Sequence, residues 1–163
     1  MTKIIPPAKP VRESQVEMTE LVLPNDANTF GNIQGGKVMH LMDIAGAVAA
    51  RRHSRRPVVT VEVDSLTFHH PIKVGDIIVL KASVNRAFQT SLEVGVKVFS
   101  EDTVSGEVKH TASAYLTFIA LDEKGRPARV PPLLPETADE KRRFEAAEER
   151  RKSRLEKKHR KSP

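Results

Sequence analysis

The sequence contains no cysteine and no tryptophan, and among its 163 residues there are only one tyrosine and six phenylalanines. The absence of cysteine excludes disulfides, thiolate metal sites and a cysteine nucleophile, and it is compatible with a reducing cytosol. With so few aromatic residues, a core has to be built from valine, isoleucine, leucine, alanine and methionine. The length suits one domain, and 39% apolar with 29% charged residues is typical of a globular chain.

Long hydrophobic runs are also missing. The longest run of apolar residues and glycine covers positions 44–50, which is far too short to cross a bilayer. Residues 1–14 contain prolines and no continuous apolar segment, so they do not resemble a secretory signal. We therefore expect a cytoplasmic protein without a membrane span.

The net charge of +6 is concentrated in one segment of the chain. Residues 141–161 hold eleven Lys or Arg and four Glu, a net charge of +7, so the rest of the chain carries −1. Binding to nucleic acid would have to depend on this segment. Four glutamates among the basic residues are more typical of a solvated helix, and no nucleic-acid partner is expected.

The periodicity of apolar residues predicts one buried helix among several strands. Val59, Val61 and Val63 alternate with Thr60 and Glu62, as in a strand with one buried face. Runs of consecutive strands indicate an antiparallel sheet and the α+β class. One helix cannot cover both faces of such a sheet, so we expect the sheet to wrap the helix and to leave another surface for a partner subunit. In chain order, the predicted elements are a strand at 16–23, a helix at 37–52, a strand that starts at 59, three further strands at 77–84, 92–99 and 108–121, and a charged helix at 136–161.

Asp43 is the first candidate for a functional residue, because it lies between Met42 and Ile44 in an otherwise apolar helix. A carboxylate at such a position needs a hydrogen-bond partner or a functional role. In the alternative interpretation, Lys37, His40 and Asp43 are spaced by three residues and form one polar stripe that faces water. The spacing alone favours neither interpretation.

A glycine-rich loop precedes this helix and contains Asn28, Asn32, Gly35 and Gly36. The first turn of a helix presents unpaired N–H groups, and glycine allows a ligand oxygen to approach them closely. A carbonyl placed there would find donors for a developing negative charge. In the alternative interpretation, the asparagines are turn or cap residues and the glycines only shape the bend. The loop lacks the GxxxxGK[ST] spacing of a phosphate loop.

No other motif indicates a different chemistry. His69 and His70 are adjacent and would point to opposite sides of an extended chain, and the other histidines lack the spacing of metal ligands. A GxSxG nucleophile elbow and an HExxH motif are both absent from the sequence. We therefore predict neither a metal site nor a cofactor.

Several ordered motifs carry a resemblance to a known family. They are the loop at residues 24–36, the Met-Asp-Ile-Ala-Gly run at 42–46, the segment at 57–61 and the Phe-His-His-Pro-Ile-Lys-Val-Gly-Asp run at 68–76. Together they resemble the bacterial and cytosolic acyl-CoA thioesterases of the hot-dog fold. Gln89, Thr90 and Ser91 are similar to an Arg-Thr-Ser sequence of that family, with glutamine in place of arginine. The resemblance covers residues 16–129 and matches the basic tail only loosely.

The resemblance implies a hot-dog fold, in which an antiparallel sheet wraps one long central helix, with a charged C-terminal helix added. It also implies a dimer with two sites at the interface, assembled further into a homohexamer. By position, the family's acidic helix residue falls on Asp43, and its loop asparagine falls on Asn28, supplied by the facing subunit. We accordingly assign residues 1–13 to a flexible arm, 14–135 to the hot-dog domain and 136–163 to a basic C-terminal helix or tail.

The function implied is hydrolysis of a fatty acyl-CoA to free fatty acid and CoA, a reaction of fatty acid metabolism. Asp43 would act as general base towards water or would attack directly to give an anhydride. Asn28 would orient the water or the thioester, and the N–H of Gly36 would stabilise the oxyanion. The candidates for binding the substrate and its CoA portion are Asn32, Gly35, Arg86, Thr90 and Ser91.

Two alternatives to a thioesterase stay open at this point. A hot-dog domain with a basic tail could sense acyl-CoA without hydrolysing it. A hot-dog dehydratase would need a histidine that faces the carboxylate. His40 lies on the same helix turn as Asp43 and fits that role poorly.

Overall fold

The structure, a computed structural model, describes residues 4–161. One long helix and a five-stranded antiparallel sheet form its body, which confirms the α+β class and the hot-dog arrangement. Neither helix in this part of the chain is long and apolar enough to cross a membrane. In chain order, the elements are β1 (Lys9–Pro10), β2 (Val16–Leu21), α1 (Gly35–Ser54), β3 (Val58–Phe68), β4 (Ile77–Ala87), β5 (Ser91–Glu101), β6 (Val108–Ala120), β7 (Leu133–Leu134) and α2 (Ala138–Lys161).

The sheet has the strand order β2-β4-β5-β6-β3, and its inner face packs against α1. Val38, Leu41 and Met42 of α1 are almost fully buried, and burial of each such side chain contributes roughly 1.5–3 kcal/mol. Gly46 permits a close approach, because a Cβ there would lie only 3.0 Å from Cζ of Phe118 on β6. The helix predicted at 37–52 is confirmed and extends by two residues at each end.

β3 is an edge strand, and a register shift divides its residues between the two faces of the sheet. Thr60 pairs with Phe118, which contacts α1, whereas Glu62 pairs with Thr117, whose side chain projects from the opposite face. A bulge places one extra residue, Val61, in β3 and reverses the alternation at this point. The predicted alternation, with Thr60 and Glu62 on one face, is therefore wrong here.

The N-terminal segment is part of the fold from Lys9 onwards, which corrects the expectation of a flexible arm at 1–13. Val11 is buried in the core, and the Ser14 hydroxyl donates a hydrogen bond of 2.7 Å to its carbonyl oxygen. The Lys9 ammonium donates to two carbonyl oxygens at the C-terminal end of α1, at 2.8 and 2.9 Å. A cation at this end complements the helix dipole. Residues 1–3 lie outside the described part of the chain.

α2 packs across the outer face of the sheet, which corrects the expectation that the basic segment is a solvated appendage. Ala147 is fully buried, and Phe144 packs against the core. Arg150 Nη2 lies 2.7 Å from Glu93 Oε1. Glu93 follows Leu92, which pairs with an inner-face residue of β6, so Glu93 projects away from α1. α2 therefore covers part of the surface that was expected to remain for a partner subunit.

Candidate active site

A cavity of about 350 Å³ opens between α1, β3 and β6. Asp43 and His40 from α1 and Thr60 from β3 supply its polar side chains. A mainly apolar cavity with a few converging polar groups is the usual form of a small-molecule site. No group of three or more His, Asp or Glu side chains among the described residues could hold a metal ion. The apolar walls are formed by Met39, Met42, Val63, Leu66, Ala114 and Leu116.

Asp43 is half-buried at this cavity and is held by a short hydrogen bond. Thr60 Oγ1 donates to Asp43 Oδ1 at 2.5 Å, which fixes the orientation of the carboxylate and leaves Oδ2 directed by no hydrogen bond from residues 4–161. The stripe of Lys37, His40 and Asp43 lies on an accessible side of α1 in the single chain, with His40 exposed and the other two half-buried, but its members have specific surroundings. Lys37 pairs with Asp26 at 3.6 Å, and His40 lines the same cavity as Asp43.

The first turn of α1 opens into the same cavity. Gln34 is the N-cap residue, so the N–H of Gly36 is among those that a helix leaves without an internal acceptor. A Cβ at Gly36 would meet no atom within 4 Å, so packing within the chain does not require glycine there. Gly35 instead lies beside Phe68, whose Cζ would be 3.6 Å from a Cβ. Gly36 thus keeps an N–H group accessible where the positive end of the helix dipole stabilises negative charge.

Asn28 organises the loop that precedes α1. Its Oδ1 accepts hydrogen bonds from the N–H groups of Phe30, at 2.9 Å, and Asn32, at 3.2 Å, as in an asparagine-closed turn. Within residues 4–161, neither asparagine forms a hydrogen bond with Asp43 or lines its cavity. The structure therefore shows Asn28 as a turn residue within its own chain. The catalytic role of Asn28 in a facing subunit stays a prediction.

Arg86, Thr90 and Ser91, the candidates for binding CoA phosphate, belong to the hairpin of β4 and β5 and do not line the cavity. α2 already engages Arg86. Its Nη2 lies 3.2 Å from Glu148 Oε2, and its guanidinium stacks at 3.9 Å on the ring of Phe144. The Ser91 carbonyl oxygen closes the hairpin by accepting the N–H of Phe88, and the Thr90 carbonyl oxygen accepts the N–H of Ala120 at the end of β6. A phosphate would have to compete for Arg86, so these contacts give no support to its predicted role.

Thr60 is the site residue that sequence reasoning missed. The alternation of β3 grouped it with Glu62, away from the helix, and the bulge at Val61 was not visible in the pattern. The available signal was a hydroxyl residue in the strand that directly follows α1. Such a hydroxyl can reach a helix carboxylate only if it lies on the face of the strand that packs against the helix. That face depends on the register of pairing with β6, which the sequence does not show.

Comparison with known proteins gives a consistent result. A family model described as the thioesterase superfamily matches residues 30–107. The protein VdlD of Helicobacter pylori is 40% identical over 137 residues, which cover 84% of this chain and 78% of that protein. The uncharacterized acyl-CoA thioester hydrolase YkhA of Bacillus subtilis is 40% identical over 129 residues, with 79% and 75% covered. The cytosolic acyl coenzyme A thioester hydrolase of Rattus norvegicus is 37% identical, but the match covers 37% of that longer protein.

Solved structures match over nearly the whole chain. An acyl-CoA hydrolase from Bacillus cereus has a TM-score of 0.89 and 36% identity, with 94% of this chain and 93% of that one covered. An apo-hexameric acyl-CoA thioesterase has a TM-score of 0.90 and 39% identity, with 93% and 97% covered. The Staphylococcus aureus acyl-CoA hydrolase, in complex with butyryl coenzyme A, has a TM-score of 0.85 and 36% identity, with 94% and 96% covered.

The sequence relatives share about two fifths of their residues with this chain over most of its length, and the solved structures share its whole architecture. The chain therefore belongs to the thioesterase superfamily, as an acyl-CoA thioester hydrolase of the hot-dog fold.

Proposed function

We propose that this enzyme hydrolyses fatty acyl-CoA thioesters in the cavity between α1 and β3, releasing a free fatty acid and CoA. The observation that carries the proposal is the placement of Asp43. Its carboxylate is oriented by Thr60 and stands in a mainly apolar cavity, beside the open first turn of α1. The apolar walls suit an acyl chain, and the polar end suits the reacting thioester.

The proposed chemistry needs one carboxylate and one oxyanion donor, because a thioester is already reactive. Thr60 holds Oδ1 of Asp43, so Oδ2 is the oxygen available to take a proton from water or to attack the carbonyl carbon. The two routes remain alternatives. The N–H of Gly36 would donate to the carbonyl oxygen as it acquires negative charge, at a helix end that favours anions.

The proposed enzyme is a homo-oligomer in which Asn28 completes the site of a facing subunit. Large apolar side chains of the loop before α1 and of the edge strand β3 are exposed in the single chain. They include Phe30, which is 86% exposed, and Val61 on the edge strand β3, which is 50% exposed. Large apolar side chains exposed in this way favour a subunit interface. A solved thioesterase described as hexameric matches 93% of the chain, which supports a dimer as minimal unit and a hexamer as assembly.

We also propose that the enzyme acts in the cytoplasm on CoA esters and takes no cofactor apart from its substrate. A relative named as a cytosolic acyl coenzyme A thioester hydrolase supports the location. The S. aureus structure in complex with butyryl coenzyme A supports the substrate class. The variants of that protein with solved structures, Asp43Ala, Thr60Ala and Asn28Ala in its own numbering, carry residue types and numbers that coincide with Asp43, Thr60 and Asn28 here.

The test is a thiol-release assay on acyl-CoAs from short to long chains, with wild-type protein and Asp43→Asn. We expect hydrolysis of fatty acyl-CoAs and a loss of about 10²–10⁴-fold in kcat when the base is replaced. Glu123→Gln, which changes an exposed carboxylate outside the cavity, should retain wild-type turnover. Tight binding of acyl-CoA without thiol release would instead establish the sensing alternative. Near-normal turnover in Asp43→Asn would exclude Asp43 as the catalytic group.

A further inference from the structure

We infer that Arg154 of α2 is a positioning residue for this site, although it lies on the opposite face of the sheet. By holding the outer face of β3, Arg154 keeps the bulge that turns Thr60 towards Asp43. The inference rests on the proposed function for its kinetic consequence. Its structural part, the state of β3, can be measured without any substrate.

Arg154 links the last described turns of α2 to three carboxylates on two strands. Its Nη1 donates to Asp64 Oδ2 at 2.8 Å, and its Nε lies 3.5 Å from Glu62 Oε2, so both partners on β3 are held by one guanidinium. Nη1 also lies 3.7 Å from Glu93 Oε2 on β5. The Arg154 side chain is only 10% exposed, so these ion pairs are screened much less by salt than surface pairs.

Among these three carboxylates, Glu93 is the most deeply buried and is held by several partners. It is fully buried, accepts a hydrogen bond from Asn85 Nδ2 at 3.1 Å, and is paired with Arg150 at 2.7 Å. Arg150 in turn stacks at 3.7 Å on the ring of Tyr115 from β6. A buried carboxylate with this many partners is costly to move, because each lost partner leaves charge unpaired. Arg154 thus connects β3 to a rigid part of the molecule.

The strand that Arg154 holds has two irregularities that need support. One register shift lies between Thr60 and Glu62, and a second lies between Asp64 and Thr67. Within the second shift, Ser65 has a φ of +53°, a left-handed conformation that a non-glycine residue adopts only when its surroundings enforce it. A slip of one residue in pairing would turn Thr60 away from Asp43.

The ion pairs of Arg154 with Glu62 and Asp64 oppose such a slip from the outer face of β3. β3 is an edge strand, so only β6 forms a ladder with it in the described chain. Glu62, Thr117 and Glu93 form one row across β3, β6 and β5. Thr117 Oγ1, in the middle of that row, is buried and has no hydrogen-bond partner among residues 4–161. Removal of Arg154 would take away its ion pairs with Glu62 and Asp64 and increase the repulsion among these carboxylates and Glu93, although Glu93 would keep Arg150.

The kinetic test compares Arg154→Gln with Arg151→Gln. Arg151 lies on the same helix and contacts the ring of Phe88 at 4.1 Å, so its replacement removes the same charge without touching β3. We expect Arg154→Gln to lower kcat about 10- to 100-fold with a small change in KM, since a reacting group displaced by about 1 Å costs this much. Arg151→Gln should keep kcat within about twofold of wild type, as expected of a change at a surface contact.

A double-mutant cycle with Thr60→Val separates positioning from general destabilisation. If Arg154 acts through Thr60, Arg154→Gln should lower kcat by less than about twofold once Thr60 has lost its hydroxyl, because the two changes break one pathway. Full additivity of the two losses in kcat would overturn the inference, as would normal kcat in folded Arg154→Gln. The milder Asp64→Asn, which leaves Arg154 in place, should give a smaller loss of kcat and serves if Arg154→Gln does not fold.

Hydrogen exchange of the β3 amides decides the structural part. We expect faster exchange at residues 58–68 in Arg154→Gln and in Asp64→Asn than in wild type, with β4 and β5 unchanged, and no change in Arg151→Gln. Unchanged protection of β3 in both of the first two variants would overturn the inference. Absence of thiol release by wild-type protein would count against the proposed function alone, since the exchange comparison would still decide whether Arg154 holds β3.

Discussion

The hydrogen bond from Thr60 to Asp43 joins a strand and a helix across 17 positions of the sequence. A hydrogen bond to a charged group contributes about 1.5–3 kcal/mol, and here it also selects one orientation of a carboxylate in a mainly apolar cavity. Pre-organisation of this kind means that the reacting oxygen does not have to be oriented during catalysis. Thr60 therefore contributes to the site by orienting the Asp43 carboxylate, although its own hydroxyl takes no part in the proposed reaction.

His53 is the second polar side chain whose burial has a measurable consequence. Its Nε2 donates to the carbonyl oxygen of Pro131 at 2.7 Å, while its buried Nδ1 has no hydrogen-bond partner among residues 4–161. Burial lowers the pKa of His53 from its ordinary value of 6.5, and the nearby Lys9 adds to that effect, whereas Pro131 and Glu13 oppose it. The neutral imidazole is therefore the form that fits the folded protein.

The sign of the resulting pH dependence follows from this lowered pKa. As the pH falls through 6.5, the unfolded chain takes up a proton at His53 that the folded chain does not, so the free energy of unfolding decreases until the lower folded pKa is reached. We expect His53→Gln, whose amide can still donate to Pro131, to lose less stability between pH 7 and pH 5 than wild type. Urea unfolding at both pH values measures this difference, and equal losses in the two proteins would refute it.

The elements differ in how far the sequence could predict them. α1 and the strands β4 to β6 have clear apolar patterns, and β2 has an uneven one, but local periodicity located all of them to within a few residues. The bulge in β3 has no local signal, because it exists only relative to the register with β6. β1 and β7 are two residues long and form a parallel pair between distant segments, which no window of sequence could reveal.

α2 was misinterpreted for a different physical reason. Its composition is strongly charged, which normally indicates a solvated helix. Its docking face is itself largely charged, with Phe144, Ala147 and Arg154 spaced three and seven residues apart. The partner of that face, Glu93, was part of a strand pattern and lies 57 residues from Arg150. Charge complementarity over such a separation cannot be inferred from either segment alone.

This packing predicts that removal of residues 137–163 destabilises the enzyme. Truncation would expose the surface under Phe144 and leave the buried Glu93 carboxylate without its arginines, and an unpaired buried charge costs about 3–5 kcal/mol. For a domain of this size we expect a fall in Tm of about 10–20 °C. A chain that ends at Leu155 keeps both arginines and should melt within about 2 °C of the full chain.

The mechanism behind that loss of stability can be checked with Glu93→Gln in the truncated chain. A neutral amide removes the buried charge and can still bond to Asn85, so it should recover part of the lost Tm. Calorimetry of the three chains measures these differences. An unchanged Tm after truncation would show that the contacts between α2 and the sheet contribute nothing to stability.

The whole molecule presents apolar surface that a single chain does not cover. Val59, Val61 and Val63 on β3 are each at least 44% exposed, on an edge strand whose outer side has no neighbouring strand within residues 4–161. Such an edge pairs readily with another strand. In a symmetric dimer, the same edge strand of a second copy can take that place. Because this edge borders the cavity of Asp43, a copy docked there would bring its own loops to the site, and Asn28 lies on one of them.

Subunit mixing tests whether the site is built from two chains. Asn28→Ala and Asp43→Ala proteins should each be nearly inactive, and a mixed dimer should contain one intact site and one doubly damaged site. Random exchange in equal amounts should restore roughly a quarter of wild-type activity in a symmetric two-site dimer.

Mixing Asp43→Ala with Thr60→Val is the matched control for this experiment. Since Thr60 and Asp43 bond within one chain, every site in that mixture keeps one defect and no activity should return. Exchange is verified with subunits of different mass. If the first mixture exchanges fully and stays inactive, Asn28 either serves the site of its own chain or serves none.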